Sequence, residues 1–427
     1  MFNLKKYDSK KVGILGLGLT GESIFNFFKN SNTDIFLWDD NADLRKNYLS
    51  KKGKLLSLDE WPWDELDYFF PSPGVDINQN IGLKNLNKKR TKTMSDISLF
   101  EEARGIYFPS GTMIAITGTN GKSSTATILY DILKKEGFDV RLLGNIGVPI
   151  LNEKPGDNET IYIVEVSSFQ IELTKNIKPE IAVLLNISED HLDRHSNIEK
   201  YRNIKGKIFS NQSSEHFSII CKEDKHTKII SKRKFVSKKI FLEKSNIIED
   251  RKYYSKNLNS IREVLKILKV SNISIEDGFK NFKGLKHRME VICETDNIKF
   301  INDSKATNAS ATNMAFDLNK NIFWIGGGDP KGNDLSKINL LSKNLRRVFL
   351  IGSSAKELFN LTPKAKSPLI CKNLNSAIDA AYNEAKKFGQ GNILLSPGCS
   401  SHDQFKNFKE RGEIFSKTAL SLIGTEK

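Results

Sequence analysis

The sequence predicts an α/β fold of three domains built on parallel sheets, and three observations carry that prediction. Short apolar runs ending at or beside a glycine or polar turn recur, each followed by a helix-like stretch: Lys11 to Gly16, Met113 to Gly118, Ile161 to Val166, Ile181 to Asn186, Asn321 to Gly326 and Val348 to Gly352. That rhythm is what the strands and crossover helices of a parallel sheet produce. Two strand, glycine-turn, helix units, at Gly16 and at Gly118, each read as the opening of a domain. The length of 427 residues, at roughly 150 per domain, leaves room for two or three cores. A first boundary is expected near Asp96, after the basic, apolar-poor stretch Lys84 to Lys92. A second falls at Lys283-Gly284-Leu285-Lys286, before a new apolar pattern begins at Met289. The expected segments are 1–95, 96–285 and 286–427.

Composition narrows the class. Lys+Arg 66 against Asp+Glu 51 leaves +15, which taken alone points to a polyanionic partner: nucleic acid, an acidic membrane surface or phosphorylated substrates. Hydrophobic residues at 38% with 28 Gly and 11 Pro exclude a largely disordered or collagen-like chain. Cys221, Cys293, Cys371 and Cys399 lie far apart with no C-x-x-C pair, so neither a disulfide framework nor a thiolate zinc site is indicated, and a reducing cytoplasm is expected. The run Val12 to Leu19 is short, glycine-rich and closed by Glu22, which suits a buried strand and turn better than a signal peptide. No later segment supplies the ~20 apolar residues of a membrane span. The lysine-rich segment Lys222 to Lys256, with Ile, Phe and Tyr interleaved, reads as strands with solvated lysine faces in preference to a nucleic-acid patch.

Along the chain, Gly16-Leu17-Gly18-Leu19-Thr20-Gly21 fits G-x-G-x-x-G between a strand and the helical run Glu22 to Phe28. Glycines there permit a tight turn and a close approach of backbone N–H groups to a phosphate. Asp39 and Asp40 close the next strand, Asp34 to Trp38, about where a ribose-binding acid would sit. The turn suits a dinucleotide or any other diphosphate. Further on, Gly118-Thr119-Asn120-Gly121-Lys122-Ser123-Ser124 follows a strand and opens a helix running to Lys135. Gly121-Lys122-Ser123 has the chemistry of a phosphate loop: backbone N–H groups cradle phosphates, Lys122 neutralises their oxygens and the Ser123 hydroxyl can ligate Mg²⁺. The generic pattern wants glycine at 116, where Ile116 stands, so the loop is a shortened variant.

Glu165 ends the strand Ile161 to Val164, where a carboxylate points into the ligand crevice of a parallel sheet and could hold Mg²⁺. His191 follows the next strand and shares that edge. Lys205, on sequence alone, is one more solvated lysine.

The segments GLGLTG (16–21), GTNGKSS (118–124), EVSSFQIE (165–172), NISEDHLDRH (186–195), NDSKATN (302–308), GGGDPKG (326–332) and SPGCSSHDQFKNFKERG (396–412) together resemble the Mur ligase family over almost the whole chain. NDSKATN is the most specific of them, and it matches the D-glutamate-adding branch. The resemblance implies an N-terminal Rossmann-like domain, a central P-loop ATPase α/β domain and a C-terminal Rossmann-like α/β domain that closes over both. It implies that the first glycine turn holds the uridine diphosphate of UDP-N-acetylmuramoyl-L-alanine and not NAD, through Leu19, Thr20, Ser72 and Gly74, with Asp39 near the uridine.

In the central domain it implies ATP contacts at Gly118, Thr119, Asn120, Gly121, Lys122, Ser123 and Ser124, substrate contacts at Asn145 and Ser167, and two Mg²⁺ held by Ser123, Glu165, His191 and Lys205. Lys205 matches the family's carbamylated lysine; the carbamate, derived from CO2, offers oxygens to a hard cation. In the last domain Arg288 and Asp303 match ATP-side contacts, and Lys305, Thr307, Lys331, Ser401 and Phe408 match groups around D-glutamate. Lysines facing a dicarboxylate make electrostatic sense. Two departures stand out: Lys256-Asn257-Leu258-Asn259-Ser260 replaces an H-N-x-x-N stretch that faces adenine, and His402 follows Ser401 in place of an apolar residue. Cys399 reads as a small packing residue and not a nucleophile.

The expected reaction is ATP-driven amide formation through an acyl phosphate, with Lys122, Lys205 and His191 as catalytic groups, domain closure to exclude water, and a monomer in the cytoplasm that binds neither nucleic acid nor membrane. An NAD-dependent oxidoreductase would leave the phosphate loop, Glu165 and the last domain unexplained. A nucleic-acid-stimulated NTPase has only the charge in its favour, and part of that charge is absorbed by anionic small-molecule substrates.

Overall fold

The computed structural model describes residues 4–49, 51–77, 91–153, 156–243, 255–295 and 297–424. The chain forms three sheets. The first contains β1 (Lys11–Leu15), β2 (Asp34–Trp38), β3 (Lys54–Leu55), β4 (Tyr68–Pro71) and β5 (Lys92–Thr93), all parallel in the order β3-β2-β1-β4-β5. The second contains β6 (Thr112–Thr117), β7 (Val140–Gly144), β8 (Ile161–Glu165), β9 (Ile181–Leu184), β10 (Phe217–Cys221) and β11 (Lys238–Leu242), again all parallel, in the order β11-β10-β9-β6-β8-β7. The third contains β12 (Glu290–Thr295), β13 (Ile298–Asn302), β14 (Ile322–Gly327), β15 (Leu345–Ile351), β16 (Leu369–Ile370) and β17 (Gly391–Leu395), in the order β12-β13-β17-β14-β15-β16; only the edge pair β12·β13 is antiparallel.

Residues cluster into two compact units, one of Met1–Ile187, Glu199–Lys244 and Asn257–Lys280, the other of Ser188–Ile198, Ser245–Lys256 and Asn281–Lys427. The first two sheets fall in the same unit. Central strands are buried along nearly their whole length because helices cover both faces. Along β14 the side chains divide by the period of two: Phe323 and Ile325 enter one core with Phe300, Phe349, Ile378 and Phe415, whereas Ile322 and Trp324 enter the opposite core with Phe316, Leu350 and Leu358.

The expected strands recur within a few residues, and the expected helices open at Leu19 and Lys122. The lysine-rich segment differs from its expectation. Lys225–Ser231 is a helix, because Asp224 caps it, accepting from the His226 and Thr227 N–H groups, before the chain enters edge strand β11. Lys84 to Arg90 and Lys244 to Tyr254 lie outside the described residues. No helix among the described residues is long and apolar enough to cross a membrane.

A helix spanning Asp96–Tyr107 begins at the expected first boundary, with the Ser95 hydroxyl accepting from the Ser98 N–H. Asp96 is buried beside this cap, its carboxylate accepts from the Ile97 N–H, and burial pushes its pKa up to about 6. A carboxyl raised in the fold binds a proton that the unfolded chain has already lost. Stability therefore falls as pH rises from the ordinary carboxylate range to about 6, and stays lowered above it. Asp96→Asn, which keeps the acceptor without the charge, is expected to stabilise the protein by about 2–3 kcal/mol at pH 7.5, the gain shrinking toward pH 4. Urea midpoints at the two pH values check it.

Candidate active site

The first sheet reverses its winding between β1 and β4, and ligands of such sheets bind at the carboxyl ends of the strands at that point. Gly16 to Gly21 follows β1 and Ser72 to Gly74 follows β4. Gly21 lets the helix press on the turn: a Cβ there would stand 1.8 Å from the Gly16 carbonyl oxygen. Leu19 is 75% exposed and Thr20 half-buried, so the turn presents both outward. Asp39 is committed to the backbone. Its carboxylate accepts from the Leu17 N–H (2.6 Å) and the Asn41 N–H (2.8 Å), holding the glycine turn against the end of β2. Arg45 reinforces that corner, lying 4.4 Å from the Trp38 ring and donating to the Asp39 carbonyl.

The phosphate loop leaves β6 and turns into the helix Lys122–Lys135 at Gly121, whose φ of +86° is open to glycine at little cost. It is pinned from β9: Asn186 accepts from the Thr119 N–H through its carbonyl and from the Asn120 N–H through its side chain, and its amide donates to the Asn120 carbonyl. Asn257 packs on the loop from the other side, its amide standing where a Cβ on Gly121 would be 2.3 Å away. The retained asparagine of the altered KNLNS stretch is thus seated at the phosphate loop, and Ser260 is buried, donating to the Asn257 carbonyl.

Lys122 folds back over the loop, donating to the Gly118 (2.9 Å) and Thr119 (2.8 Å) carbonyls. Lys205 reaches the same Gly118 carbonyl at 2.9 Å and lies 4.6 Å from the Tyr201 ring. It is 1% exposed, so it is no solvated lysine. The Tyr201 and Thr119 hydroxyls lie 3.2 Å apart. Ser123 and Ser124 are buried in the first helical turn. Glu165 ends β8, the strand bonded directly to β6, and is also 1% exposed. One of its carboxylate oxygens accepts from the Asn145 amide at 2.9 Å, and Asn145 is held by its N–H to the Glu165 carbonyl. Ser167 is occupied as a helix cap, in a reciprocal box with Gln170.

In the second unit, three loops leave the carboxyl ends of the adjacent strands β13, β17 and β14. Asp303, just after β13, is buried and ties the loop after β17 to the turn that precedes β12, accepting from the Ser396 hydroxyl and from the Met289 N–H. Arg288 lies one residue before Met289, in the turn His287–Met289, where His287 and Met289 both have positive φ. The Lys305 ammonium stands 3.8 Å from the Phe408 ring centroid. Thr307 is half-buried and Ser401 buried. His402 is exposed. Cys399 is buried, and burial pushes its thiol up to about 11, which leaves it inert as a nucleophile at neutral pH.

His191, at φ +56°, and Lys331, at φ +52°, both approach Asp190: the imidazole Nε2 is 3.7 Å and the ammonium 3.8 Å from its carboxylate, and Asn308 donates to it at 3.4 Å. Asp190, Asn186 and Tyr201 are residues that sequence reasoning passed over. Asp190 and Asn186 stand inside the NISEDH segment, and that position is the one signal that could have found them.

The Mur ligase middle domain family matches residues 116–316. A UDP-N-acetylmuramoylalanine–D-glutamate ligase of Rickettsia felis is 36% identical over 97% of this chain and 98% of its own. The enzyme of the same name from Agrobacterium fabrum is 31% identical over 99% and 98%. Among solved structures, MurF ligase from Thermotoga maritima in complex with ADP superposes with a TM-score of 0.58, covering 98% of this chain and 97% of that one at 16% identity. MurC from the same organism gives 0.55, covering 98% and 100% at 16% identity; at that identity the likeness is one of fold.

Proposed function

Because the chain belongs to the Mur ligase family, we propose that it joins D-glutamate to UDP-N-acetylmuramoyl-L-alanine with conversion of ATP to ADP and phosphate, a step of peptidoglycan precursor synthesis in the cytoplasm. The observation that carries this reading is a glycine-turned phosphate loop bonded, strand to strand, to a buried carboxylate that an amide holds in place. The three segments 1–95, 96–285 and 286–427 serve the UDP-sugar, ATP and amino acid respectively.

Leu19, Thr20, Ser72 and Gly74 meet the uridine diphosphate, and Asp39 supports them by holding the turn. Backbone N–H groups of 118–124 and the Lys122 ammonium receive the ATP phosphates. The donor set suits Mg²⁺, which takes hard oxygen ligands and is commonly held by one or two carboxylates with substrate phosphates. Ser123, Glu165, His191 and a carbamate on Lys205 would hold two ions, which neutralise phosphate charge. The carbamate forms when the Lys205 amine adds to CO2 and loses a proton.

The alanine carboxylate oxygen attacks the γ-phosphorus as the bond to ADP breaks. The D-glutamate nitrogen then attacks the acyl carbon, sheds a proton, and expels inorganic phosphate. A carboxylate is a poor acyl donor, so this activation is required. Arg288 and Asp303 serve the ATP side, while Lys305, Thr307, Lys331, Ser401 and Phe408 serve the amino acid. Asn145 and Ser167 lie toward the UDP-sugar substrate. The enzyme works as a monomer, without nucleic acid or membrane.

Phosphate release from ATP is measured with UDP-N-acetylmuramoyl-L-alanine and a panel of amino acids. Release that requires D-glutamate is expected. Equal release with L-lysine or meso-diaminopimelate would refute the specificity.

A further inference from the structure

Arg411 stands in the first turn of the helix Phe408–Gly424 with no exposed surface, an uncommon place for a guanidinium. Burial pushes its pKa down to about 10, which still leaves it charged at neutral pH. Its hydrogen bonds run to neutral oxygens of two loops. Nε donates to the Ser304 hydroxyl at 3.0 Å and Nη2 to the Ser304 carbonyl at 2.8 Å. Nη2 also donates to the Cys399 carbonyl and Nη1 to the Ser400 carbonyl, each at 3.2 Å. A third loop closes on the same point: Asp329 and Ser400 exchange backbone hydrogen bonds, and a Cβ on Gly328 would lie 3.3 Å from Nη1. The Ser304 hydroxyl completes the arrangement by donating to the Phe408 carbonyl at 2.8 Å.

These three loops carry Lys305 and Thr307 after β13, Lys331 after β14 and Ser401 after β17, and Phe408 is on the helix that bears Arg411. We propose that Arg411 is a positioning residue for the amino-acid substrate: its planar fork sets the spacing of the three loops whose side chains receive the dicarboxylate. The inference rests on the function proposed above. The fork geometry is essential, because a lysine ammonium at this depth cannot donate to Ser304 and to the Cys399 and Ser400 carbonyls at once. A misplacement of about 1 Å in such a frame is enough to weaken binding strongly.

The test compares full-length wild type, Arg411→Lys and Arg411→Ala, first establishing which amino acid the wild type uses. With that amino acid, Arg411→Lys is expected to raise its KM about tenfold or more, with KM for ATP and for the UDP-sugar within about twofold. Millimolar ethylguanidine should lower the raised KM of Arg411→Ala and leave that of Arg411→Lys unchanged. A folded Arg411→Lys with an unaltered amino-acid KM overturns the proposal. So does a parallel rise in all three KM values with a lowered midpoint, which marks general support of the fold. Should Arg411→Ala fail to fold, Arg411→Lys decides alone. A wild type that needs an amino acid other than D-glutamate refutes the functional reading and leaves the Arg411 comparison to be read with that amino acid.

Discussion

Lys122→Ala is expected to lower ATP-dependent phosphate release by about 10³-fold or more, among the largest effects of any single substitution in this chain. Phosphoryl transfer asks little covalent chemistry of a protein, so positioning and charge dominate its rate. Lys122 is the cation of the phosphate loop, and its arm already lies along the loop, donating to Gly118 and Thr119. Those contacts are to neutral carbonyls, which an anionic phosphate outcompetes for an ammonium. The side chain is half-buried and supports no core, so the thermal midpoint should hardly move. Steady-state turnover together with a thermal melt checks both parts. Turnover within about tenfold of wild type would remove Lys122 from the phosphate site.

Lys205→Ala is expected to abolish turnover to a comparable degree, and short carboxylic acids such as acetate or formate should partly restore it. Lys205 is fully buried on the loop, in contact with the Gly118 carbonyl and facing the Tyr201 ring. Removing the arm opens a space beside the phosphates, and a small carboxylate entering it returns the oxygens that a carbamate would have supplied. Loss of packing alone would cost stability without rescue, so the two effects separate. Undiminished turnover by Lys205→Ala would dismiss the residue from the site. Loss of turnover with no rescue by any small carboxylate would dismiss the carbamate.

Much of the architecture is legible in local pattern. Runs such as Ile161 to Val166 and Val348 to Gly352 announce buried parallel strands, because a strand covered on both faces must be apolar throughout. The Lys225–Ser231 helix was missed because alternating lysines resemble an exposed strand, whereas the Asp224 cap, a local hydrogen-bonding signal, decides for a helix. Glu165, Lys122 and the glycine turns stand out in the sequence because each lies at or shortly after a strand end, where a parallel sheet gathers its ligands.

The amino-acid sequence by itself determined the three sheets, the glycine turns that follow their strands and, through its ordered segments, the resemblance that names the chemistry. Only the tertiary structure decided what each polar side chain does once there. Asp39 holds Leu17, Ser167 caps a helix, Asn186 and Asn257 clasp the phosphate loop from two sides, and Arg411 ties Ser304 to Cys399 and Ser400. The physical reason is range. A strand or a glycine turn is specified by neighbours a few residues away, but a buried hydrogen-bond partner can lie anywhere in the chain, as Ser304 lies 107 residues from Arg411.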